Sequence, residues 1–89
     1  MYVFQLGNNY YVFVVIAENA AAARALAFKC AVQRGLKDPD SWKLPTLSTC
    51  DYGCPFDRDY QLRSRACGAA PAQPNSVQSI FCRETLKAI

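Results

Sequence analysis

A chain of 89 residues, 52% apolar and 19% charged, has room for one hydrophobic core and no second, and its composition argues against wholesale disorder. The net charge of +3, from four lysines and six arginines against five aspartates and two glutamates, is thinner than a dedicated nucleic-acid binder usually carries. Histidine is absent, which removes the usual general base at neutral pH and the commonest metal ligand.

Tyr2–Leu6 is β-branched and aromatic, Gly7-Asn8-Asn9 tolerates positive φ, and Tyr10–Ala17 is an apolar run of strand type. The three together predict a hairpin. In the second strand Tyr11, Phe13, Val15 and Ala17 share one face, and Tyr10, Val12, Val14 and Ile16 share the other. Both faces are apolar, which marks a central strand covered on both sides, or covered on one side with a partner on the other.

Asn19 is a natural N-cap, and Ala20–Arg34 follows as an alanine-rich helix closed by Gly35 and Pro39. A 3.6-residue period places Ala21, Ala25, Phe28, Val32 and Leu36 on one stripe, assigned to the sheet. Arg24, Arg34, Ala20, Ala27 and Ala31 then fall on the outer side. There the two arginines on a bed of alanines form a candidate docking surface, although alanine is also the best exposed helix former.

Lys37–Pro45 reads as a loop around Trp42, the sole tryptophan, either a lid over the open edge of the core or an anchor for a partner. Thr46–Cys50 is a candidate third strand. Tyr60–Arg65 alternates, with Tyr60, Leu62 and Ser64 on one side and Gln61, Arg63 and Arg65 on the other, and is expected to be a further antiparallel strand. Residues 66–74 have no period and read as a flexible internal connection. From Asn75 onward the pattern fits a capped helix or an edge strand over Ser79–Arg83. The expected fold is a single α+β domain, residues 1–89. In it a small antiparallel or mixed sheet is covered by one alanine-rich helix, and the C-terminal half is rich in loops.

Cys50, Cys54, Cys67 and Cys82 follow the helix with spacing C-x3-C-x12-C-x14-C. Four thiolates suit tetrahedral zinc, but structural zinc favours two tight pairs and only the first two cysteines are close together. Disulfides in an oxidising medium are a second reading. Separate reduced thiols packed as small core residues are the preferred one, with Cys30 on the helix in that role, so no cofactor is expected. Without a basic leader or an apolar stretch of about 20 residues, no signal peptide or membrane span is expected, and a cytoplasmic location follows by default.

Catalysis has little to work with. Asp51, Asp57 and Asp59 sit among turn formers, a cysteine nucleophile lacks an imidazole partner, and no glycine-rich phosphate loop exists. Charge is uneven: +2 over residues 1–36, −2 over 37–59 and +3 over 60–89. That suits docking on a mixed-charge protein surface as well as internal pairing. The expectation is a non-enzymatic module that binds a larger protein, with Trp42, Arg24, Arg34, Arg63 and Arg65 as candidate contacts. Weak nucleic-acid binding through Arg63, Arg65 and tyrosines is the alternative, and a small zinc module a further one.

Val14, Val15, Ala17, Glu18, Ala20, Ala23, Arg24, Leu26 and Ala27 form a V-x-x-A-E strand end followed by A-x-x-A-R-x-L-A. This segment resembles the β–α opening of small accessory proteins of bacteriophages and mobile elements. The resemblance covers less than a third of the chain and transfers no functional residue. It implies a small protein that binds and modulates a larger host protein, inhibitors of host defence being one class among those.

Overall fold

The computed structural model describes residues 1–7, 10–36, 49–51, 55–68, 73–85 and 87–88. The fold is α+β, as the sequence leads one to expect. In chain order the elements are β1 (Tyr2–Gly7), β2 (Tyr11–Ala17), α1 (Ala20–Arg34), β3 (Thr49–Asp51), α2 (Arg58–Ala66) and β4 (Ser76–Cys82). The strands make one sheet in the order β3-β1-β2-β4, antiparallel at every pairing.

The hairpin is in register from Tyr2↔Ala17 to Gly7↔Val12. β2 is central, with β1 hydrogen-bonded along one edge and β4 along the other. A bulge between Val14 and Val15 leaves Gln78 of β4 outside the regular pairing.

α1 has the predicted bounds because its caps are chemically complete. Asn19 Oδ1 accepts from Ala22 N–H at 2.8 Å. Gly35 takes a left-handed φ of 64°, and the amides of Gly35 and Leu36 donate to the carbonyls of Val32 and Ala31. This is the Schellman arrangement, and it needs a residue without a Cβ penalty at the αL position.

The side that α1 presents to the sheet differs from the expectation. Ala23, Ala27 and Ala31 are fully buried, whereas Ala21, Ala25 and Val32 face solvent and Phe28 and Leu36 pack from the side. The physical reason is volume. The sheet supplies the bulk (Phe4, Leu6, Phe13, Val15 and Ile80), so the helix that fits closest is the one offering methyl groups. The alanines assigned to an outer docking surface are therefore the packing surface.

Tyr60–Arg65 is likewise not a strand but the body of α2. Asp57 caps it by accepting from Tyr60 N–H at 2.9 Å, Asp59 sits in its first turn, and Arg63 and Arg65 sit in its last. Those charges complement the helix dipole at both ends. No residue of Arg58–Ala66 is β-branched, which removes the main local incentive for a strand. The tail settles as strand, because β2 has an open edge that Ser76–Cys82 fills. Asn75 makes the turn into it with φ of 54°.

The C-terminal half thus contains a second helix and an outer strand as well as loops. Of the 66–74 connection, Ala66 ends α2, Cys67 and Gly68 close it, and residues 69–72 lie outside the described residues. The third strand is found at Thr49–Asp51, at the end of the expected Thr46–Cys50. Among the described residues, no helix is long and apolar enough to cross a membrane.

Candidate docking surface

α1 covers the sheet face that carries Phe4, Leu6, Phe13 and Val15. The opposite face is ordered by register into three rows across the strands: Val3–Ile16–Ser76, Gln5–Val14–Ser79 and Gly7–Val12–Phe81. Burial is deepest at Val3 and Ile16 and uneven beyond them, where Gln5 is exposed and Gly7 is buried. Val3 and Ile16 are 7% and 0% exposed, Val14 and Ser79 are half-buried, and Phe81 is 39% exposed. A large aromatic ring thus stands open to solvent at the end of the face, beside half-buried Val12 and Val14.

Arg83 borders this open end. Its amide donates to Tyr10 O at 2.8 Å, which carries the chain past the start of β2. Its guanidinium then lies over Gly7, where a Cβ would run into Nη2. The missing side chain of Gly7 is what gives the arginine its place on the sheet. The end of the face is therefore an aromatic ring, an aliphatic flank and a cation side by side, and the aromatic and the arginine are residue types enriched where proteins bind proteins.

Beyond Arg83 the chain turns. Cys82 N–H donates to Lys87 O at 3.0 Å, and Phe81 bridges Ala88. The thiol of Cys82 is held below its ordinary value, first by Thr85 N–H, then by the Thr85 hydroxyl and the Glu84 amide, all donating to sulfur. Replacing Thr85 by valine removes one of those donors. The pH at which iodoacetamide alkylates Cys82 half-maximally is expected to move upward, since less thiolate forms at a given pH. Peptide mass spectrometry across a pH series reads this directly, and an unmoved profile would refute the assignment.

α2 is attached to the sheet by a short polar ladder. Tyr60 Oη–H donates to Gln78 Oε1 at 3.0 Å, and Gln78 Nε2 donates to Ser64 Oγ at 3.4 Å. The bulge that sets Gln78 apart from the regular pairing coincides with the contact point for α2. Tyr60, Arg63, Ser64 and Cys67 also line a shallow open cleft of about 320 Å³ along one side of the helix.

The residues singled out in the sequence do not converge on one place. Arg24 is half-buried on the flank of α1's packing face, with Nε buried and lacking a hydrogen-bond partner. Arg34 is exposed in the last turn of α1, where it suits the dipole. Arg63 and Arg65 are exposed on α2, and Arg63 Nε donates to Asp59 O at 3.4 Å. As neighbours two apart on a helix they leave in nearly opposite directions, so the shared strand face proposed for them does not form. Trp42 lies outside the described residues. Phe81 and Arg83 were not singled out in the sequence, although the apolar second face of β2, with Val12 and Val14, allowed a partner on that side.

Cys30 and Cys82 are half-buried and Cys67 is exposed, all three as free thiols. Cys50 falls in β3 and Cys54 lies outside the described residues. Among the described residues no group of three or more His, Cys, Asp or Glu side chains is placed to hold a metal. Comparison of the chain with protein-family models, with curated proteins and with solved structures found no match.

Proposed function

We propose that this chain is a non-enzymatic binding protein that docks on a larger protein and modulates it, using the open end of the sheet face around Phe81. The observation that carries this reading is the 39% exposure of Phe81 beside Val12 and Arg83, on a face whose far end is buried. A partner that covers the ring gains the free energy of removing that apolar surface from water. The resemblance of residues 14–27 to small phage accessory proteins makes a host protein, defence machinery among them, the natural candidate.

Affinity capture from host lysate, followed by mass spectrometry, tests it. Phe81→Thr keeps a strand-forming residue at the position while removing the ring. Wild type is expected to retain a specific partner that Phe81→Thr loses at unchanged thermal stability. Equal recovery by both proteins, or turnover of a small substrate with no partner recovered, would overturn the reading. The nucleic-acid alternative loses its geometric support with the strand that would have aligned Arg63 and Arg65.

A further inference from the structure

Arg58, Leu62 and Arg65 stand at i, i+4 and i+7 of α2, on the side away from Tyr60 and Ser64. All three are exposed, Leu62 by 54%. The two guanidiniums leave the helix about 10 Å apart along its axis, with the aliphatic side chain between them. Among the described residues neither guanidinium has a hydrogen-bond or ion-pair partner.

We infer that this ridge docks an acidic amphipathic segment of a partner protein, one whose carboxylates bracket an aliphatic side chain at matching helical spacing. Charge complementarity is the first argument. The ridge carries two cations and no acid, and a guanidinium fork pairs carboxylates in bidentate fashion. Leu62 is the second. An apolar contact between the ion pairs shuts out water and strengthens both. A nucleic acid fits less well, because the ridge has no aromatic ring for a base to stack on and two charges release few counterions. A membrane surface would need a broader apolar face than one leucine. α2 contains no buried residue, so reversing these charges leaves the core untouched.

The test is fluorescence anisotropy of a labelled synthetic helical peptide, with glutamates at i and i+7 and leucine at i+4, titrated with the full chain at about 50 mM salt. Saturable binding is expected. The double variant Arg58→Glu/Arg65→Glu should weaken it by about tenfold or more, and should instead bind the same peptide with lysines in place of glutamates. Phe81→Thr should bind the acidic peptide as wild type does. This surface and the sheet face can therefore fail separately, and failure of the ridge leaves the Phe81 reading standing. No binding at millimolar protein, binding indifferent to the double variant, binding lost in Phe81→Thr, or tighter binding of a single-stranded oligonucleotide would each overturn the inference.

Discussion

Phe13→Ala is expected to cost about 3–5 kcal/mol. Phe13 is fully buried at the middle of the central strand, paired with Leu6 on one side and Ile80 on the other, and belongs to the cluster that α1 covers. Removing the ring forfeits its transfer free energy and leaves a void between sheet and helix that alanines cannot fill. Small domains hold about 5–15 kcal/mol in total, so the loss is a large share of what stabilises this one. A urea melt checks it through the midpoint, with the slope confirming that the transition stays two-state. A midpoint within error of wild type would mean the cluster is not the folding core.

The second large effect comes from making a residue bigger. Ala27 is fully buried in the same cluster, and leucine there has no space, so Ala27→Leu should cost about 1–3 kcal/mol or more by forcing α1 off the sheet. The same change at exposed Ala25, two residues away, should fall within about 0.5 kcal/mol of neutral. Paired melts of the two variants read out the orientation of the helix. Were Ala25→Leu the damaging one, the helix would be turned with its Phe28 and Val32 stripe inward.

The contrast between those two alanines shows where the sequence is informative. The bounds of α1 were legible because Asn19 and Gly35 act locally on the ends of their own helix. Its orientation was not, because alanine on nearly every side gives little contrast to a periodicity argument. What decides the matter is the volume of Phe4, Leu6 and Phe13 on other elements. The hairpin was legible for the same local reason as the helix ends.

α2 illustrates a weaker signal overriding a stronger one. Six residues of alternation suggested a strand, yet the N-cap at Asp57, Asp59 in the first turn and the absence of β-branched residues all pointed to a helix. In so short a window capping chemistry is the better guide, since a few alternating residues arise easily by chance. β4 remained open in the sequence because its apolar residues fit either period. The unpaired edge of β2 resolves it, and that is a tertiary fact.

The candidate surface was least legible of all. Phe81 becomes exposed only because of its row on the sheet, and Arg83 reaches Gly7 only because β4 and β1 flank the same strand. Neither relation has a local signature. Exposure of an apolar residue depends on what the rest of the chain leaves uncovered, and no propensity reports it.

The most direct measurement places a photo-crosslinking aromatic amino acid at position 81 and, separately, at position 25 on the solvent side of α1, and irradiates both proteins in lysate of the cells in which the protein is expressed naturally. The account predicts a discrete crosslinked protein from position 81 and none from position 25. A crosslink from position 25 with none from position 81 would contradict it and move the docking surface to the helix.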